Sequence, residues 1–180
     1  MSKFAVTLAF LSLALSACGV PPPRLMPVGD VIPAGVSLEG RWQLRAGADD
    51  AQRRIRKAEY RAGASGQVAE GPSVYVFLRT GNRLKITQTP YALFVSFDRS
   101  VVEEYRFREH RLINVGPIEA DRASGWVDGK YVIQTLDHEG AVLEETYALG
   151  SGGDELERTV SVVYDEEEIL SLRQQYDRVQ

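Results

Sequence analysis

From residue 84 onward, hydrophobic and polar positions alternate along the chain. Leu84 and Ile86 interleave with Arg83, Lys85 and Thr87. Tyr91, Leu93, Val95 and Phe97 share one face, with Ala92, Phe94, Ser96 and Asp98 on the other, and Val101, Tyr105 and Phe107 lie opposite Glu104 and Arg106. A period of two is that of a half-buried strand. The same reading predicts strands over 38–44, 123–127, 130–136, 142–149 and 156–164. Turn residues separate them at Gly81-Asn82, Asp98-Arg99, Asp128-Gly129, Glu139-Gly140 and 150–153. Asp128-Gly129 is the strongest of these, because a type I′ hairpin needs two residues tolerant of positive φ.

One stretch follows a different period. Asp49 stands where an N-cap would, Gln52 occupies the capping-box position, and Ala51, Ile55 and Ala58 form a narrow apolar stripe. This predicts a short helix over about 50–61, followed by an exposed Gly/Ala/Ser loop over 62–73. The C-terminus reads two ways. Asp165 ahead of Glu166, Glu167 and Glu168 caps a helix carrying Ile169, Leu172 and Tyr176, or the acidic run is a turn before a strand with Leu170, Leu172 and Tyr176 on one face; the strand is favoured. Short strands with tight turns predict a mainly β fold, an antiparallel up-and-down meander with one short N-terminal helix.

The composition is that of a globular protein, with 44% hydrophobic and 26% charged residues among 180. The net charge of −4 gives no support to nucleic-acid binding. One cysteine and two histidines leave no disulfide scaffold and no Cys/His zinc site. His110 falls in a predicted turn over 108–111 and His138 in another over 137–139; neither stands beside a nucleophile it could serve as base. No Gly-rich phosphate loop opens a helix, and 166–168 reads as a solvated charge run. The expectation is a non-enzyme without metal or cofactor. The charge is uneven: residues 41–61 carry a net +4 and residues 137–180 a net −9. The basic stretch either faces anionic headgroups or pairs with the acidic end inside the fold.

The N-terminus has the layout of an export signal: Lys3, an apolar run over 4–15, then small Ser16 and Ala17. Leu15-Ser16-Ala17-Cys18 resembles the lipobox of bacterial lipoproteins. That resemblance implies cleavage after residue 17, a diacylglycerol on the Cys18 thiol and a mature charge of −5. Gly19, where an inner-membrane retention signal usually has Asp, implies the outer membrane, with the protein facing the periplasm. Five of the eight prolines fall within 19–37, which predicts an extended tether over 18–37 and a single domain over 38–180.

Gly40-Arg41-Trp42 on the first strand resembles the opening Gly-x-Trp of lipocalins and related calycin barrels. Asp49-Asp50, the run 125–129, Glu144-Glu145-Thr146-Tyr147 and 173–178 are similar to stretches of bacterial lipoproteins with a lipocalin-like domain. The resemblance implies a barrel or half-barrel in which Trp42 packs at the closed end under a basic residue from a late strand, Arg158 or Arg173. Arg158 shares its face with Leu156, Val160 and Val162.

The expected interior-facing residues are Leu84, Ile86, Leu93, Val95, Phe97, Tyr105, Phe107, Val160 and Val162. If they enclose a cavity, the protein is a binding module for an apolar or amphipathic small molecule. If they fill the interior, it is an envelope protein that binds another protein through its surface. Volume decides between the two, and both remain open at the level of sequence.

Overall fold

The computed structural model describes residues 24–45, 50, 53–57 and 72–180. Its strands form where the alternation is strongest: β2 (Arg83–Gln88) buries Leu84 and Ile86 and exposes Arg83, Lys85 and Thr87. Before it comes β1 (Gly40–Leu44), and after it β3 (Ala92–Phe97), β4 (Val101–Arg106), β5 (Glu109–Val115) and β6 (Ile118–Val127). The remaining strands are β7 (Lys130–Asp137), β8 (Val142–Leu149), β9 (Glu155–Tyr164) and β10 (Glu167–Val179). Among the described residues these ten strands make one antiparallel sheet in the order β4-β3-β2-β1-β10-β9-β8-β7-β6-β5. The first strand pairs with the last, Trp42 opposite Arg178. The sheet therefore curls into a nearly closed barrel whose two edges, β4 and β5, face each other without pairing.

The hairpins close as their turn chemistry requires. Asp98-Arg99, Asp128-Gly129 and Asp165-Glu166 each put two successive residues at positive φ, the type I′ geometry that matches strand twist. The last of these settles the C-terminus as a strand. A register shift between Glu168 and Leu170 leaves Ile169 38% exposed, while Leu170, Leu172, Gln174 and Tyr176 point inward.

Three expectations are corrected. Residues 108–111 are not a turn around His110. The chain reverses at Phe107-Arg108, and His110 is exposed on β5, 3.9 Å from Asp121. β5 is an edge strand with both faces partly wet, so its alternation is blurred. The second correction concerns the tether: its described part, 24–37, lies along the barrel wall. Met26 N donates to Gln134 Oε1 at 2.7 Å, and Gly29 and Trp126 exchange two backbone hydrogen bonds of 2.9 and 3.0 Å. A Cβ at Gly125 would meet Gly29 O at 2.3 Å, so only glycine allows this approach. Ile32 and Val36 then pack against the core. Third, Val101 and Tyr91 do not share the buried face of their strands: Val101 is 39% and Tyr91 78% exposed.

Residues 53–57 are helical, with Ile55 buried, and a short 3₁₀ helix over Ser73–Phe77 begins where the expected loop over 62–73 ends. Cys18, the export signal, Asp49 and Ala58 lie outside the described residues.

Candidate functional site

The barrel register stacks the inward side chains into two apolar ends with a polar layer between them. One end holds Trp42, Ile86, Leu93, Trp126, Tyr131 and Tyr176. The other holds Leu143, Val162, Leu170 and Leu172, and is stoppered by Val74 and Phe77 of the 3₁₀ helix, by Leu78 and by Ile55. The stopper is fixed by Asp137 at the end of β7: its carboxylate accepts from Val74 N and Ser73 Oγ at 2.9 Å each, and from Ala141 N at 2.8 Å.

Leu84, Ile86, Leu93, Val95, Phe97 and Tyr105 lie in the first cluster with Phe107 half-buried against it, and Val160 and Val162 lie in the second. Phe107, Trp126 and Tyr131 meet edge-on or tilted at 5.3–6.0 Å between ring centroids.

The partner of Trp42 is neither Arg158 nor Arg173. Arg178 lies over the indole, 4.2 Å from the centroid, because β10 pairs with β1. Arg173 is exposed, 3.5 Å from Glu157. Arg158 lies deep in the polar layer, wholly buried. Its guanidinium donates to Glu145 Oε2, to Gln174 Oε1 at 2.9 Å and to the Arg79 carbonyl at 2.8 Å, with the Phe97 ring 5.3 Å away.

The same layer runs out to the seam between β4 and β5. Arg122 donates from Nε to Thr135 Oγ1 at 3.2 Å and lies 3.5 Å from Glu103, which also takes the Arg79 Nε–H at 2.8 Å. Arg111 stands directly opposite Arg122 across the β5–β6 pair. In place of a backbone ladder, side chains bridge the seam: Arg111 Nη2 donates to Glu104 O, Ser124 Oγ to Arg106 O and Tyr131 Oη to Tyr105 O, at 3.1, 2.7 and 3.0 Å.

A cleft of about 310 Å³ opens here. Phe77, Ile113 and Val115 supply apolar wall; Arg79, Arg111 and Arg122 supply three guanidiniums against one carboxylate, Glu103. Glu109, at the rim, is 3.5 Å from Arg111 Nε. None of the nine expected interior residues lines this cleft.

Two further groups belong to the polar layer. The hydroxyls of Tyr105 and Tyr147 are buried and have no hydrogen-bond partner among the described residues. Burial pushes both well above the ordinary tyrosine range, so they remain O–H donors at neutral pH. An unpaired buried donor costs about 1–3 kcal/mol.

Periodicity could have found part of this. Arg122 shares an inward face with Ala120, Ser124 and Trp126, and Glu145 with Leu143 and Tyr147, so each is a charge on an otherwise buried face. Glu103, between Val101 and Tyr105, is another charge on an apolar face; Arg79, outside any strand, carries no such signal. His110 and His138 are both exposed and 3.9 Å from single carboxylates. No group of metal-binding side chains occurs among the described residues.

The architecture has relatives among solved structures. A secretory abundant heat soluble protein of Ramazzottius varieornatus superposes with a TM-score of 0.52 at 16% identity, covering 81% of this chain and 97% of that one. Lipid binding protein 8 of Caenorhabditis elegans does so with a TM-score of 0.52 at 13% identity, covering 81% and 100%. The fold is a lipocalin-like barrel. No protein-family model and no curated protein matches the sequence. At these identities the likeness concerns the path of the chain alone; the seam cleft and its arginines are read from this barrel's own side chains.

Proposed function

We propose that the barrel binds an amphipathic small molecule with an anionic head, without chemical turnover. The observation that carries this is the seam cleft, where three guanidiniums face one carboxylate beside an apolar wall. An acidic head would pair with Arg111 and Arg122, and Arg forks suit a planar carboxylate or a phosphate. Tyr105 and Tyr147 supply donors deeper in the same layer. The volume is at the lower limit for a small-molecule site. The tail would lie along Phe77, Ile113 and Val115, the apolar lining of the cleft. The fold neighbour from Caenorhabditis elegans, lipid binding protein 8, agrees with this reading by analogy of fold. Native mass spectrometry of the purified protein, followed by lipid extraction, tests it. A bound acidic lipid lost on Arg111→Gln substitution supports the reading, and a bare protein that takes up no acidic amphiphile rejects it.

A second reading rests on the two buried apolar clusters: if they pack the interior, the protein presents only its surface, to another envelope protein. Under both readings the protein is a lipoprotein held at the outer membrane and facing the periplasm, an inference from residues 1–19. Two or more acyl chains on Cys18 would make release negligible. Labelling cells with a fatty-acid probe tests the anchor: Cys18→Ser should abolish the label, and persistent label would refute it.

A further inference from the structure

We propose that the outer wall of β1, β2 and β3 carries a second, separate binding site, for a small phosphate-bearing anion. A groove of about 510 Å³ runs along this wall, lined by Arg41, Arg83, Lys85 and Arg99, with Val179 at its edge. All four cations are exposed. None of them forms an ion pair among the described residues. Arg83 Nε instead donates to Gln43 Oε1 at 3.0 Å. No Asp or Glu side chain lines the groove; Gln180, the last residue, reaches it beside Val179. Asp98, in the adjoining turn, accepts the Asn82 and Arg83 N–H groups at 3.0 and 2.8 Å.

This arrangement is selective. The chain has 25 acidic against 21 basic residues, and on the neighbouring wall each arginine has an acid. Arg45 pairs with Glu155 and Asp177, and Arg173 with Glu157. On the groove wall, Arg41 stands directly opposite Lys85 across the β1–β2 pair. Like charges placed opposite in a ladder destabilise it. A local rule broken with no compensating contact is the mark of a functional position.

Two guanidiniums and an ammonium on adjacent strands, with Arg99 at the turn, offer several charge-assisted donors to one compact anion. The concavity matches a small molecule in volume. A soluble anion is favoured over a bilayer surface for a geometric reason. The described N-terminal segment, which begins at residue 24, lies against β7, separated from β1 by β8, β9 and β10 in the sheet, so it sits on a different wall from the groove. The site shares no residue with the seam cleft and stands or falls independently of it.

Titration calorimetry of the full chain with inorganic pyrophosphate tests the site. The expected result is saturable binding that weakens with salt, and that weakens by about tenfold or more in an Arg41→Gln/Lys85→Gln double variant of unchanged Tm. Arg111→Gln, in the seam, should leave it intact. Arg99→Gln, outside any strand, repeats the test where the double variant proves unstable. Absence of saturable binding overturns the proposal, as does equal affinity in the variants. Binding to phosphatidylcholine vesicles containing phosphatidylglycerol but not to pyrophosphate also overturns it, by making the wall a membrane contact.

Discussion

Arg178 covers the Trp42 indole at 4.2 Å from the ring centroid, and its Nη1 donates to the Glu39 carbonyl at 2.7 Å. One late-strand arginine thus seals the end of the barrel and ties the last strand to the entry of the first. Trp42 is fully buried, so Trp42→Ala should cost about 3–5 kcal/mol in urea unfolding. Arg178→Ala should cost about 1–2 kcal/mol, from the lost cation–π contact and hydrogen bonds. A double-mutant cycle should show the two coupled by at least about 0.5 kcal/mol. Arg173→Ala, in contrast, should stay within about 0.5 kcal/mol of the parent. Coupling of Trp42 to Arg173 instead of Arg178 would contradict the strand register.

The Arg158–Glu145 pair, wholly buried in the polar layer, is expected to respond asymmetrically. Glu145→Ala leaves a buried guanidinium without its counter-charge and should cost about 3–5 kcal/mol. Arg158→Met with Glu145→Leu removes both charges and should recover most of that loss. Urea titrations of the three proteins decide it; a double variant as unstable as Glu145→Ala would show that the pair contributes more than its own compensation.

At alkaline pH the buried tyrosines should set the limit of stability. Burial raises Tyr105, Tyr131, Tyr147 and Tyr176 above the ordinary value of 10.0. Their contribution is intact below that value. Above it the unfolded chain loses protons that the folded chain retains, so stability falls as pH rises, by about 1.4 kcal/mol per pH unit for each tyrosine. Tyr147→Phe should flatten the slope by one such increment. Unfolding and tyrosine ionisation, followed together by circular dichroism and ultraviolet absorbance, should coincide; ionisation well ahead of unfolding would contradict the burial.

Much of the strand pattern was legible because residues such as Leu84, Ile86, Leu143 and Leu156 alternate with polar neighbours. Depth and register were not. Arg158 was placed on the correct face, yet which arginine reaches Trp42 depends on the pairing of β1 with β10, a contact between residues far apart in the chain. The ambiguity at the C-terminus had a physical source in Gln174, a polar residue on the inward face of β10. Arg158 explains it, since Gln174 Oε1 accepts the Arg158 Nη1–H at 2.9 Å. β5 escaped notice because an edge strand buries neither face fully. The seam cleft exists only because β4 and β5 come together unpaired, so Arg79 could not be singled out beforehand, and Glu103, a charge between Val101 and Tyr105 on the apolar face of its strand, could be noticed but not placed.

The central claim, an anionic amphiphile held in the seam, is tested most directly by nuclear magnetic resonance titration with laurate, using dodecanol as the neutral control. Laurate should shift the amides of β4, β5 and the Ser73–Phe77 helix, dodecanol should bind more weakly, and Arg111→Gln should reduce the laurate shifts without changing the fold. Equal binding of laurate and dodecanol, or laurate shifts confined to residues away from the seam, would contradict the account.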